Sequence, residues 1–389
     1  MGGDLPRALA LCLLLTVATC GCASRGPSRG LLHVEPSRVE WHRASALAYA
    51  PNGKAEAILL RGSEDPEFRL SQSVVHVAYD APDHLFRTVL GYTGVTGLAF
   101  SPDGKALAFL TYQSWTGQRA PYLVLLDLQK DRLTRARLQA DVIFSPHPFW
   151  SNDGRLIAVP GYRRGIGAQK GLAQHLVWVG DDRARKVAWH TLPCSKQEQS
   201  VCLGWSPAGD ALIGLNVVHP GPQAPRKPGL YLWTMKAKGG KYQYRPVSGP
   251  AAALPLSFFE WQHIGDYTYL GAGRYARDHS VGMAVLDLRR ALLAPFPKAR
   301  VYEGRWTASP DGRWVAMTSR TERNTLSVYS REGKTLSFRT PGAEGDLAAR
   351  AAWGPGANEV TVTTANPSRP MVIVNIVTGE RSESVPSPK

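Results

Sequence analysis

With 389 residues, 43% of them apolar and 20% charged, the chain can bury a large core, and its composition excludes a disordered polypeptide. Its 46 Lys and Arg residues against 31 Asp and Glu give a formal charge of +15. Such a surplus favours anionic partners, whether lipid, glycan, nucleic acid or an acidic protein surface.

The N-terminus narrows that choice. MGGDLPR is followed by ALALCLLLTVAT, twelve uncharged residues, and then by CGCASRG. A membrane-spanning helix needs about 20 apolar residues, so this run suits the hydrophobic region of a signal peptide. Export would remove nucleic acid from the expected partners. Ending an apolar run at a Cys preceded by a small residue resembles the bacterial lipoprotein signal. Gly21 before Cys22 matches it better than Thr19 before Cys20, although Thr19 also stands where that signal has an aliphatic residue. The resemblance implies a signal peptide over 1–21, a lipidated Cys22 with a flexible basic tether over 22–32, and a folded body over 33–389. The other reading is an ordinary signal peptide cut near CAS. Ala23 and Ser24 lack the Asp of inner-membrane retention, which points the lipoprotein reading to the outer membrane, facing the periplasm or the cell surface.

From residue 47 onward a pattern recurs: an apolar run, a turn rich in Ser, Pro, Asn, Asp and Gly, then a second apolar run. It appears as LAYAPNGKAEAILL from 47, LAFSPDGKALAFLT from 98, PFWSNDGRLIAVPG from 148 and LGWSPAGDALIGLN from 203. It continues as the degraded FEWQHIGDYTYLGAG from 259, then WTASPDGRWVAMTS from 306 and AAWGPGANEVTVTT from 351. A repeat of roughly 50 residues signals an array, solenoid or propeller. Pro sets φ at the second turn position, Asp or Asn tolerates the third, and Gly closes the turn, so each copy predicts a β-hairpin. Asp103, Asp153 and Asp311 are therefore turn formers and not catalytic or metal-binding carboxylates. Third strands such as PYLVLLDL (121–128), HLVWVGDD (175–182) and GLYLWTM (229–235) follow, then polar fourth stretches such as RLTRARL and KVAWHTL. Four strands per repeat and no amphipathic helix predict an all-β fold: a seven-bladed β-propeller of four-stranded antiparallel blades, with six or eight blades as variants.

SPDGKALAF followed by YLVLLDL resembles the WD-like repeat of TolB-type propellers. The resemblance implies the fold but not a Tol-system role, because too few residues precede the first repeat for a separate N-terminal α/β domain. Similar repeats cover the active sites of prolyl-oligopeptidase-like enzymes. No G-x-S-x-G occurs in this chain, and GWSPAG at 204–209 is a turn copy.

Cys194 and Cys202 lie in LPCSKQEQSVCLGW. In an oxidising compartment they predict a disulfide worth about 2–3 kcal/mol, two free thiols being the other reading. The ten His residues form no HxH or HxxxH pair, and no cofactor or metal is expected. GIGAQKG (165–171) precedes a strand instead of opening a helix, so it does not read as a phosphate loop.

The loops between second and third strands of repeats two to seven hold eleven basic residues and two acids, Asp278 and Glu322. Blade topology puts these loops on one face. The predicted binding face comprises Arg119, Arg163, Arg164, Lys170, Arg226, Lys227, Arg274, Arg277, Arg320 and Arg323, with Trp115, Tyr162 and Tyr275 among them. The leading expectation is a non-enzymatic, lipid-anchored scaffold of a bacterial envelope, docking a protein with an acidic segment or an anionic glycan. The alternative is an extracytoplasmic propeller enzyme of lyase or lactonase type, or an anionic-glycan-binding protein, using the central channel.

Overall fold

The computed structural model describes residues 40–384 except 53–54, 64–71, 80–86, 93–94, 114–119, 131, 139, 141, 144–146, 165–172, 196, 223, 251–255, 265–266, 276–280, 297–304, 319–324, 340–349, 355–356 and 364–370. The signal segment, Cys22 and the tether lie outside the described residues.

Each repeat folds into its own antiparallel sheet, with strands paired in chain order, and the sheets follow one another along the sequence. Six sheets have four strands. The third has five, because Val142–Ile143 and Phe149–Trp150 both pair with Leu156–Arg164. Pro148, which has no N–H to give to a ladder, stands just before the second of these pieces. The expected all-β propeller of four-stranded antiparallel blades is thus the fold observed.

First strands are innermost. Those of blade one (Glu40–Tyr49) and blade two (Thr96–Phe100) lie side by side, and Glu40–Tyr49 also packs beside Arg350–Trp353 of blade seven. There Tyr49 Oη donates to Thr361 Oγ1 at 2.7 Å. Among the described residues the first and last blades therefore meet by packing, with no strand of one sheet paired into the other.

The core lies between blades. In Ala106–Gln113 of blade two, Leu107 and Phe109 pack against blade one, while Ala108 and Leu110 pack against blade three. Corresponding clusters fill each junction from blade three through blade seven. A strand buried on both faces has no polar side to show, which is why these strands read as unbroken apolar runs.

Turn chemistry repeats atom for atom. Ser101 Oγ donates to Asp103 Oδ1 at 2.7 Å and accepts from Ala106 N at 2.9 Å, while Asp103 Oδ1 also accepts from Lys105 N at 3.1 Å. Gly104 closes the turn at φ +70°, where a Cβ would be strained. The same bonds recur at Ser151–Asp153 and Ser309–Asp311. Burial works upward on the Asp103 and Asp153 carboxyls, but the serine hydroxyls and backbone N–H groups outweigh it and hold both below the ordinary Asp value. These carboxylates are engaged in holding their turns.

Tryptophans link successive blades. Trp150 Nε1 donates to Ala99 O at 3.0 Å, Trp205 Nε1 to Phe149 O at 2.8 Å and Trp353 Nε1 to Thr307 O at 3.0 Å. Between blades five and six the bridge is Gln262. Its Nε2 donates to Trp306 O at 3.2 Å, and its Oε1 accepts from Ala308 N at 2.9 Å. Gln262 sits within the strand Leu256–His263, while Ile264, whose N–H bonds Thr268 O as the Ser101 N–H bonds Ala106 O, takes the place of the turn serine.

The predicted disulfide is not formed: Cys194 and Cys202 are both free. Ser195 and Glu198 close a tight turn through Ser195 N→Glu198 O at 2.8 Å, and the first strand of blade four, Glu198–Trp205, then runs away from it. Four residues of strand carry Cys202 about 13 Å beyond that turn, whereas bridged Cα atoms lie within about 7 Å. Cys202 instead packs into the core between blades three and four, where burial pushes its thiol up to about 12. Alkylation without reductant, followed by peptide mapping, is expected to label Cys194 in the native protein and Cys202 only after unfolding. A linked pair of peptides would overturn this assignment.

Candidate functional site

Because neighbouring strands are antiparallel, the Ser-x-Asp-Gly turns and the third-to-fourth-strand turns share one face of the disc. The second-to-third-strand loops and the blade-to-blade connections share the other. Six of the thirteen residues of the predicted basic face, Trp115, Arg119, Lys170, Arg277, Arg320 and Arg323, lie outside the described residues. Strand ends place others at that rim. Arg163 is exposed opposite Gln174, and Tyr162 is half-buried opposite His175. Arg164 is paired with Ala173, Arg274 with Val281, and Tyr275 with Leu256.

The second-to-third-strand loop of blade four is the one described nearly throughout. It joins Ala211–Val218 to Gly229–Lys236. His219 N→Gln197 O at 2.8 Å, Ala224 N→Gly221 O at 3.1 Å and Tyr231 Oη→Lys227 O at 2.8 Å fix its course. Lys227 projects into solvent. Arg226 does not: its Nη1 lies 2.6 Å from Glu198 Oε1, and its guanidinium stacks 3.4 Å above the Tyr244 ring.

Glu198 is buried at the start of its strand, and the same Oε1 accepts from Asn216 Nδ2 at 2.5 Å. Asn216 and Ser200 face each other across the ladder, both fully buried, and neither Asn216 Oδ1 nor Ser200 Oγ has a hydrogen-bond partner. Burial raises the Tyr244 phenol above its usual value, and the Arg226 charge works against that rise. Glu198, Asn216 and Tyr244 were not singled out from the sequence. The available signal was Asn216, a polar residue inside the apolar run LIGLNVV.

The junction of blades three and four beneath this cluster is stapled by polar bonds. His175 Nδ1 lies 3.2 Å from Ser200 O, His190 Nε2 lies 2.8 Å from Ala237 O, and Tyr242 Oη donates to Thr191 O at 2.6 Å. These histidines hold blades together and do not converge. Among the described residues no group of three or more His, Cys, Asp or Glu side chains is placed to hold a metal ion.

Towards the turn face, the first strands of blades two to four frame a cavity of about 340 Å³. Phe149, Trp150, Trp205 and Tyr269 line it with Pro51 and Pro102. Both indole N–H groups are already bonded to carbonyls, and Tyr269 Oη donates to Trp205 O at 3.2 Å. The cavity presents apolar surface and no assembled acid–base pair.

No family model matches the chain, and no curated protein matches it. Solved structures do. The β-propeller domain of the Trilobed protease from Pyrococcus furiosus, which has an open velcro topology, is 14% identical with a TM-score of 0.55, over 89% of this chain and 96% of that one. Acylaminoacyl peptidase from Pyrococcus horikoshii is 12% identical with a TM-score of 0.57, over 90% of this chain and 53% of that one, so this chain spans about half of that peptidase. Oligogalacturonate lyase in complex with manganese is 11% identical with a TM-score of 0.53, over 90% of this chain and 92% of the lyase. TolB from Acinetobacter baumannii is 16% identical with a TM-score of 0.47, over 75% of this chain and 65% of that one.

Two expectations are corrected by these findings. A non-enzymatic role was expected because no catalytic motif is visible in the sequence, yet the similar structures are mostly enzymes, namely peptidases and a lyase. A propeller can join its functional residues from distant blades, which a search for local motifs does not see. A lipid-anchored place in a bacterial envelope was expected from the segment around Cys22. The same fold occurs in peptidases of Pyrococcus horikoshii and Galerina marginata, so the repeats specify no envelope address. What the comparisons establish is the architecture: this chain is a β-propeller distantly related in fold to the propeller domains of peptidases and lyases.

Proposed function

We propose that this chain is a propeller enzyme acting on an anionic oligosaccharide of oligouronate type, taken up on the loop-bearing face. The observation that carries the reading is charge: eleven basic residues and two acids fall in loops that the strand order gathers on one face. Guanidinium groups offer paired donors to carboxylates, and interleaved aromatic rings such as Tyr162 and Tyr275 offer stacking area to pyranose rings. The oligouronate class is suggested by the name of one similar structure, oligogalacturonate lyase.

Calorimetric titration with hexagalacturonate is expected to show binding that weakens steeply with salt, with the neutral maltohexaose binding far less. Replacing Arg163 and Lys227 together with Glu is expected to weaken hexagalacturonate binding at least tenfold. Turnover is followed by the ultraviolet absorbance of an unsaturated uronate product, with and without added manganese. Equal binding of the charged and neutral sugars, or of neither, would reject the reading.

A further inference from the structure

Arg226 has the chemistry of a carboxylate receptor but is already occupied by a carboxylate of the chain itself. We propose that Glu198 is an internal competitor for the substrate's carboxylate: it holds Arg226 against the blade and sets the affinity of the loop-bearing face. This inference rests on the reading of that face as an anion site and identifies the residue that tunes it.

Four observations support it. The guanidinium is pre-oriented by its stack on Tyr244, 3.4 Å from the ring centroid, as at sites that grip planar anions. Its hold on Glu198 goes through Nη1 to a single oxygen, Oε1, which it shares with Asn216, so a carboxylate able to accept two parallel N–H bonds would bind it better. The Arg226 side chain keeps 27% of its surface in solvent against 9% for Glu198, so a ligand can reach the arginine but not the acid. Arg226 also lies in the same loop as the exposed Lys227, where an incoming oligouronate would meet both. Once the arginine turned outward, Glu198 would keep its bond from Asn216 Nδ2.

The transfer is opposed by the burial of Glu198, which loses its charge partner when Arg226 leaves. That opposition makes the contact autoinhibitory, and neutralising the acid should relieve it. Gln at 198 can still accept from Asn216 while no longer competing as an anion. Glu198→Gln is therefore expected to tighten trigalacturonate binding at least tenfold, and the double variant Glu198→Gln with Arg226→Gln is expected to lose that gain. Hydrogen exchange gives a readout that does not depend on the sugar. Adding malonate, a simple dicarboxylate, to the Glu198→Gln protein should change protection across 219–228 at concentrations that leave the wild type unaltered.

Weaker or unchanged trigalacturonate binding in folded Glu198→Gln would overturn the proposal. So would a gain that survives in the double variant. If no variant binds galacturonates but malonate acts on 219–228 as described, the competitor role stands and the oligouronate reading fails. If malonate has no effect on either protein, the competitor role fails.

Discussion

Arg226→Gln is expected to destabilise the protein by about 2–4 kcal/mol, and Glu198→Gln by clearly less, although both remove the same ion pair. The asymmetry follows from which charge remains. Removing the arginine strands a carboxylate that is 7% exposed at the inner end of a blade, and breaking a buried pair from one side costs about 3–5 kcal/mol, reduced here because Arg226 is partly solvated. Removing the acid leaves a guanidinium that can turn to water and a neutral amide that keeps the Asn216 bond. Denaturant unfolding of the two variants side by side is the measurement. Equal losses would mean that the pair is a surface contact of little consequence. The binding consequence runs in the opposite direction: the less damaging substitution is the one expected to strengthen anion affinity. Stability and affinity are therefore set against each other at one carboxylate.

A second large effect is expected in the blade-four core. Trp233 is fully buried, donates through Nε1 to Leu215 O at 3.2 Å, and meets the Tyr242 ring edge-on at 5.5 Å. It lies directly opposite Gly214, where a Cβ would come within 2.3 Å of the indole and 2.1 Å of Val201 O. The glycine is thus the notch that admits the ring. Trp233→Ala should cost about 3–5 kcal/mol by opening a cavity, and Gly214→Ala should also destabilise, by overpacking. In a double-mutant cycle Gly214→Ala is expected to be milder once Trp233 is Ala, but not neutral, because the contact with Val201 O involves backbone and remains. Simple additivity would show that the two residues do not share the space as described.

Both residues illustrate how unevenly the molecule can be read from its chain. SPDGKALAF and its copies predict hairpins, and they are found at Thr96–Phe100 with Ala106–Gln113 and at Arg305–Ala308 with Trp314–Thr318. That part was legible because turn chemistry is local: Ser101, Asp103 and Gly104 satisfy one another within six residues. Even the degraded fifth copy folds as the period requires, with Gln262 supplying the link to the next blade. The disulfide failed for the opposite reason. Eight positions in sequence say nothing of distance once a strand is fully extended between them.

The candidate site divides along the same line. That basic residues crowd the second-to-third-strand loops is plain from composition, since strand order alone decides which loops share a face. Among those residues, Arg226 and Lys227 are adjacent in sequence and equally basic, yet one is held by an internal acid and the other faces water. Nothing in the string PRKPG separates them. The distinction depends on Glu198, 28 positions upstream, arriving beside Arg226 through the pairing of Glu198–Trp205 with Ala211–Val218.

By itself, then, the sequence determined the all-β class, the repeat and the turns that punctuate it, because each depends on periodicity or on contacts a few residues long. Only the tertiary structure decided that the cysteines remain apart, that Gln262 bridges two blades, and that Arg226 is answered by Glu198. Those outcomes depend on which strands become neighbours, and a pairing between residues tens of positions apart leaves no local mark on either partner.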